Sequence, residues 1–166
     1  MKNNYVTVPL SAEFDFSKVP SWYVLCTNSQ CPQRDGCLRY LAGTNAPEQL
    51  ETGLCVMPKM LKDDGQCRWF DRRRVQVYAS GFSRLYDRVL KADYTRMRKH
   101  ITAYLHGAKT YYQYMRGERL LTPEQQQYIC NYVKSCGYEW DVCFDRYEEG
   151  YAYHHPDDAD GGQYAE

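Results

Sequence analysis

The sequence predicts an α+β fold, with a small N-terminal cysteine-rich metal lobe packed on a mainly helical C-terminal layer with a few short strands. Five of the eight cysteines fall within residues 26–67, in a stretch rich in turn-forming residues. Apolar side chains then recur at helical spacing, after a short run that alternates as strands do. The predicted organisation is an N-terminal arm and Cys-rich lobe over 1–67, a basic strand and helical region with a C-terminal extended segment over 68–153, and a disordered acidic tail over 154–166.

The N-terminal elements are predicted to be extended. An alternating run, YVTV, has the period of a strand, and the segment EFDFSKVP predicts a strand or extended arm that ends at Pro20. Residues 21–67 show little periodicity, as expected where a metal ion replaces part of a hydrophobic core. The segment RRRVQVYAS alternates Val75, Val77 and Ala79 with other side chains, which predicts a half-buried strand.

Three helices are predicted in the second half of the chain. The first two are amphipathic, and Gly107 is placed to end the second. Their apolar positions are Phe82, Leu85, Tyr86, Val89 and Leu90 in the first, and Tyr94, Met97, Ile101, Tyr104 and Leu105 in the second. The third begins with Thr122 as its cap, Pro123 in its first turn and Gln125 at the capping-box position, and Gly137 ends it. Trp140, Val142 and Phe144 then alternate, which predicts a strand or extended segment laid on the core.

Three closely spaced cysteines predict a structural metal site. Zinc in such sites takes four ligands in a tetrahedron, commonly thiolates on turns joined by partners from another segment. Cys26, Cys31 and Cys37 supply three ligands, separated by four and five residues. We favour Cys67 as the fourth, because the segment DDGQCRWF predicts a tight turn leading into apolar residues. Cys55, in the apolar setting GLCVMP, is the alternative fourth ligand.

Zinc is the predicted cofactor, with an iron–sulfur cluster as the alternative, because thiolates alone also hold such clusters. Unligated cysteines and disulfides remain open as alternatives. The three later cysteines, Cys130, Cys136 and Cys143, are predicted to pack as small apolar side chains. The N-terminus lacks a long apolar stretch and the chain lacks a membrane-length one, so we expect a cytoplasmic protein without a membrane partner. A reducing compartment disfavours disulfides and leaves metal binding or burial for the thiols.

The formal net charge of zero hides an asymmetry. Residues 59–119 carry fifteen Lys and Arg against six Asp and Glu, whereas residues 120–166 carry two against ten. This pattern predicts a basic surface for an anionic partner, with an acidic tail that folds over it or shields it. The alternative is that the two regions neutralise each other within one compact fold.

Nucleic acid is the predicted partner, since cations neutralise phosphates and interleaved aromatic rings stack on bases. The segments RWFDRRR and KTYYQYMRGER combine both residue types. The predicted contacts are Arg72, Arg73, Arg74, Arg84, Arg88, Arg96, Lys99, Tyr112 and Arg116. The expected function is a non-catalytic, metal-stabilised binding or regulatory protein that contacts RNA, DNA or a ribonucleoprotein. A protein-interaction module that uses the surface of the 17 tyrosines is the alternative.

Catalysis is not expected, because the chain lacks the common hydrolase, phosphate-binding and metalloprotease motifs. His100 and His106 are six residues apart and do not share a helix face, and His154 and His155 fall in the predicted tail. A cysteine nucleophile with a histidine base is left open, since such partners are neighbours only in space.

The order of several segments resembles a known family. The segments CPQRDGCLRYLA, DDGQCRWF, YYQYMRGERLLTPEQQQYI and CFDRYEEGYAY are similar in succession to a domain-of-unknown-function family common in Bacteroidales bacteria, over about residues 14–153. The resemblance implies a cytoplasmic bacterial protein without an assigned activity. The choice of metal ligands rests on cysteine spacing alone.

Overall fold

The computed structural model describes residues 14–57 and 67–154, which divide into two compact units. The cysteine unit comprises the described residues up to Val75 together with those from Tyr151 onward, and the helical unit runs from Gln76 to Gly150. The described chain mixes helices and strands, which confirms an α+β fold. The predicted YVTV strand and the predicted tail beyond His154 lie outside the described residues, and the segment limits predicted at residues 67 and 153 stay a prediction.

The cysteine unit is built mostly from turns. Short 3-10 turns lie at Phe16–Lys18 and Arg34–Gly36, and helix α1 spans Leu38–Thr44. The extended arm predicted for EFDFSKVP is wrong over Phe16–Lys18, because the Asp15 carboxylate accepts the Ser17 backbone N–H at 2.9 Å and caps a turn there.

The apolar core of the cysteine unit is small. Its cluster of buried apolar side chains, within the described residues, consists of Tyr23, Leu38 and Ala42. Six partly buried apolar residues pack around these three: Phe14, Val19, Leu25, Leu41, Tyr151 and Tyr153. Most of what fixes this unit is therefore polar or sulfur-bearing.

The helical unit contains a three-stranded sheet. The strands are β1 at Val75–Ser80, which begins one residue before the unit, β2 at Leu120–Leu121 and β3 at Arg146–Tyr151, which ends one residue beyond it. They lie in the order β2-β1-β3, and β1 pairs antiparallel with β2. The predicted strand is confirmed as β1, but its alternation holds only in part: Ala79 is buried, whereas the Val77 side chain is 39% exposed.

Helices α2 at Lys91–Tyr104, α3 at Ala108–Met115 and α4 at Pro123–Ser135 complete the helical unit. Helices α2 and α4 confirm two predicted helices, while α3 was not predicted. The predicted capping box is present at the start of α4: Thr122 Oγ1 accepts the Gln125 N–H at 3.3 Å, and Gln125 Oε1 accepts the Thr122 N–H at 3.0 Å.

The helix predicted over Phe82–Leu90 is wrong. That segment forms consecutive turns in which backbone N–H groups bond three residues back, as from Leu85 to Phe82 at 3.2 Å. The Asp145 carboxylate accepts the Ser83 N–H at 3.0 Å and holds the first of these turns. The helical spacing still reflects burial, since Phe82 and Leu85 are core residues.

The core of the helical unit is continuous and joins helices α2, α3 and α4 with strands β1 and β2. Twelve buried side chains of the described chain form it: Ala79, Phe82, Leu85, Met97, Ile101, Leu105, Tyr111, Leu121, Ile129, Val133, Val142 and Phe144. The segment around Trp140 lies on this core as predicted, without forming a strand over residues 140–144. Cys130 and Cys136 pack against it as predicted, whereas Cys143 is exposed.

Helices α2, α3 and α4 end in the same hydrogen-bond pattern, in which a residue in the left-handed conformation follows the C-cap. Glycine takes that position after α3 and α4, with φ angles of 76° at Gly117 and 90° at Gly137. After α2 the position belongs to His106, with φ of 62°. Its N–H donates to the Ala103 carbonyl at 3.1 Å, and the Gly107 N–H donates to the Thr102 carbonyl at 2.9 Å.

Replacing His106 by glycine should stabilise the protein. A side chain in the left-handed region costs about 1 kcal/mol, and glycine avoids this cost. Urea denaturation followed by circular dichroism at 222 nm should therefore show a higher midpoint for His106→Gly. Gly137→Ala is the matched control, because an added Cβ meets nothing within 4 Å and only the φ of 90° is unfavourable; its midpoint should fall by a similar amount. A lower midpoint for His106→Gly would contradict this account.

Candidate metal-binding pocket

The four cysteines predicted as ligands line one pocket in the cysteine unit. Cys26, Cys31, Cys37 and Cys67 surround it together with Arg34, Tyr40, Val56, Trp69 and Phe70. The space open to a water-sized body is about 10 Å³, which is close to the about 10–15 Å³ that one water molecule occupies. The pocket therefore has room for a single small ion, and four cysteine residues are among those that line it.

Local turns position the cysteines of the first stretch. The Cys31 N–H donates to the Asn28 carbonyl at 3.3 Å, and the Arg34 N–H donates to the Cys31 carbonyl at 3.2 Å. The Cys37 N–H in turn donates to the Arg34 carbonyl at 3.1 Å. Each bond closes a four-residue turn, so the chain winds around the pocket as the turn-forming composition predicted.

Backbone pairing brings the distant fourth cysteine to the same place. Cys37 forms an antiparallel bridge with Arg72, and the Leu38 N–H donates to the Asp71 carbonyl at 2.7 Å. At the start of this second stretch the Phe70 N–H donates to the Cys67 carbonyl at 3.0 Å and closes a turn. Residues 63–66 of the predicted tight turn lie outside the described residues.

Helix α1 approaches the first cysteine at backbone distance. A Cβ atom on Gly43 would lie 2.2 Å from the Cys26 carbonyl oxygen and 3.0 Å from its backbone nitrogen. The Cys26 N–H also donates to the Arg39 carbonyl at 3.0 Å. Only glycine permits this approach, so Gly43 fixes where Cys26 lies relative to α1.

Cys55, the alternative fourth ligand, does not line the pocket. It pairs with Leu25 in a parallel bridge, and neighbouring residues on such segments present side chains to opposite sides. Cys26 and Val56 follow the bridged pair and line the pocket, while the Cys55 thiol is exposed. The arrangement favours Cys67 over Cys55.

The electrostatic environment of the thiols contains opposing contributions. Burial raises the pKa of the Cys26 and Cys67 thiols, whereas the backbone N–H groups of Asn28 and Trp69, which bond to these sulfur atoms, favour the thiolates. Neighbouring thiols raise the pKa of both, because gathered thiolates repel one another. A cation at the centre would remove that repulsion.

The thiols surround the pocket but do not converge on one point. Within residues 14–57 and 67–154, no three His, Cys, Asp or Glu side chains are arranged around a common ion position.

A buried polar cluster lies in the same unit, and the sequence analysis missed it. Arg39 and Asp71 are only 4% and 5% exposed. The Asp71 carboxylate accepts the Tyr23 hydroxyl at 2.7 Å and lies 3.1 Å from His154 Nδ1. Burial raises the pKa of the Tyr23 hydroxyl most, and the negative charge of Asp71 and the hydrogen bond to it raise this pKa further. His154, assigned to the tail by sequence, thus contacts the interior of the cysteine unit.

The predicted nucleic-acid contacts divide between the two units. Most of those in the helical unit have local partners: Arg84 pairs with Asp87 at 3.5 Å, Arg96 with Asp93 at 2.8 Å and Arg116 with Glu118 at 2.7 Å. Arg88 lies 5.7 Å from the centre of the Trp140 ring, the Tyr112 hydroxyl accepts a hydrogen bond from Arg98, and Lys99 is exposed. This unit carries eleven Lys and Arg against nine Asp and Glu, so it is nearly neutral.

The remaining predicted contacts, Arg72, Arg73 and Arg74, belong to the cysteine unit. Arg72 is exposed, and Arg73 and Arg74 are partly buried. The Arg73 Nε donates to the Cys37 carbonyl at 3.4 Å, so this side chain also supports the pocket.

Comparison with known proteins gives one match. A family model described as a family of unknown function (DUF6078) matches residues 10–153. No curated protein and no solved structure matches the chain. None of the helices in the described part of the chain is long and apolar enough to cross a membrane.

Gly43→Ala should destabilise the cysteine unit by about 1–3 kcal/mol, because the new methyl group must displace the backbone at Cys26. Denaturant unfolding monitored by tryptophan fluorescence measures the change. Gly36→Ala is the matched control in the same unit, since its Cβ would lie 3.8 Å from the Phe70 ring, an ordinary contact. Equal stability of the two variants would show that α1 does not constrain Cys26.

Proposed function

The chain belongs to this family of unknown function, DUF6078, and we propose that its cysteine unit is a structural metal module. Cys26, Cys31, Cys37 and Cys67 hold one zinc ion in this proposal. The observation that carries it is the meeting of four thiols at one ion-sized pocket, although the last lies thirty residues beyond the third. The small apolar core of the unit supports the same proposal, because a bound metal contributes folding free energy directly.

The volume of the pocket favours zinc over an iron–sulfur cluster. A zinc ion with four thiolates lies about 2.3 Å from each sulfur, and about 10 Å³ of space suits one ion rather than several irons and sulfides. Four thiolates around a divalent ion carry a net charge of −2. Arg73, which donates to the Cys37 carbonyl, offsets part of that charge.

The proposed role is binding without catalysis, in the reducing cytoplasm of a bacterium of the Bacteroidales type. Thiolate ligation suits that compartment, where disulfides do not persist. The metal would hold two chain segments together and so maintain the surface that they form.

Purified protein should contain one equivalent of zinc by elemental analysis. Cys31→Ser should lose most of it and unfold at lower denaturant concentration, because a three-thiolate site binds zinc more weakly. Cys143→Ser is the control, since its exposed thiol belongs to the helical unit, and its zinc content should equal that of the wild type. Wild-type protein without zinc or iron would refute the metal module.

Nucleic acid is the second candidate, and the distribution of charge in the cysteine unit favours it. Arg68 and Arg72 are exposed and flank the partly buried rings of Trp69 and Phe70. These arginines would contact phosphates while a base stacks beside the rings, and the metal would hold this segment, residues 68–72, in place. The arginines of the helical unit that pair with acidic side chains would contribute less to nucleic-acid binding than the sequence predicted.

Binding to mixed single-stranded RNA should fall steeply with salt, as counterion release requires. Arg68→Ala with Arg72→Ala should weaken binding at least several-fold in fluorescence anisotropy at low salt. The control pair, Arg84→Ala with Arg96→Ala, removes the same charge from arginines already bonded to aspartates and should change binding little. Absence of binding at low salt, with one nuclease-resistant protein partner recovered from cells, would favour the protein-interaction module instead.

A further inference from the structure

We propose that Arg39 is the positioning residue of the four-cysteine pocket. Its buried guanidinium group holds the cysteine-bearing stretches together and supplies the positive charge that offsets their thiolates. This inference rests on the proposed metal module and goes beyond it, because Arg39 is neither a ligand nor one of the residues lining the pocket.

The contacts of Arg39 reach every stretch that carries a predicted ligand. Its backbone lies two residues after Cys37, and its carbonyl accepts the Cys26 N–H at 3.0 Å. Its Nη1 donates to the Val24 carbonyl at 3.0 Å, two residues before Cys26. Its guanidinium lies 5.6 Å from the centre of the Trp69 ring, two residues after Cys67.

A fourth contact joins Arg39 to the C-terminal part of the cysteine unit. Arg39 Nη2 donates to the His154 carbonyl at 3.2 Å, and the guanidinium also lies 4.6 Å from the centre of the Tyr23 ring. The planar fork of arginine allows two carbonyl bonds and two ring contacts at once, which a lysine ammonium cannot reproduce.

The charge of Arg39 has no solvent to screen it, since the residue is only 4% exposed. A buried cation is costly unless negative groups lie near it. The Nε of Arg39 is buried without a hydrogen-bond partner among the described residues. Thiolates formed on metal binding would add negative charge to that of Asp71, the buried carboxylate of the same unit.

The test compares Arg39→Met and Arg39→Lys with Arg34→Met in zinc-loaded protein. Arg34 is the matched control because it also lies beside the pocket but is exposed and bonded locally to the Ser29 carbonyl. Zinc release to a colorimetric chelator should be about tenfold or more faster in Arg39→Met, as for other residues that support metal ligands. Arg39→Lys should lie between, and Arg34→Met should match the wild type within about twofold.

Cobalt substitution provides a readout that a general loss of stability would not change. The thiolate-to-cobalt absorption band should shift or broaden in Arg39→Met, recover in part in Arg39→Lys and stay unchanged in Arg34→Met. If Arg39→Met does not fold, Arg39→Lys decides, and release and spectrum equal to Arg34→Met would overturn the inference. A metal-free wild type would refute the metal module as well, whereas a metal-bearing wild type with equal variants refutes only the role of Arg39.

Discussion

The shortage of apolar side chains in the cysteine unit constrains everything else about that unit. Among the described residues its buried apolar cluster, Tyr23, Leu38 and Ala42, has a quarter as many members as that of the helical unit, so less apolar burial offsets the conformational entropy of its turns. Backbone bonds, sulfur atoms and two buried charges, Arg39 and Asp71, do much of the remaining work of fixing the chain. Buried charges add little net stability, because their desolvation opposes their attraction, but they penalise every arrangement that separates them. Such a unit has a well-defined structure with a small free energy of unfolding, and a bound ion would add the stability that the small core does not provide.

The helical unit owes its folding to local signals and a continuous core, and local signals are what a sequence displays. Helices α2 and α4 could be predicted because the spacing of their buried residues is helical, and Thr122 with Gln125 marks the start of α4. Strand β1 could be predicted from its alternating sequence, although its burial follows that alternation only in part. The turns at Phe82–Leu90 show the same apolar spacing without the helix, because Asp145, sixty residues later, holds their start. Helix α1 has seven residues and α3 has eight, and segments so short give a weak periodic signal.

The cysteines that line the pocket could be predicted from the sequence better than the buried residues around it. Residue type and spacing grouped Cys26, Cys31, Cys37 and Cys67, and these four cysteines line one pocket, while their role as metal ligands stays a prediction. Nothing in the sequence distinguishes Arg39 and Asp71 from surface charges, because their burial depends on segments far away in the chain. The basic stretch differs, because Asp87, Asp93 and Glu118 lie only two or three residues from the arginines that they pair with, so the sequence itself shows these local pairs.

The chain enters the cysteine unit twice, since residues 76–150 form a separate unit inserted between its two parts. A ribosome that adds about 5–20 residues per second delivers those 75 residues over roughly 4–15 s. Throughout that interval the first part of the cysteine unit lacks the last four described residues of the unit. One of these is His154, whose carbonyl accepts a hydrogen bond from Arg39. The helical unit, continuous in sequence, is free to finish first. Newly made chains would then spend seconds with Arg39 lacking one of its two side-chain bonds to carbonyl groups, beside the stretch that carries three of the four cysteines.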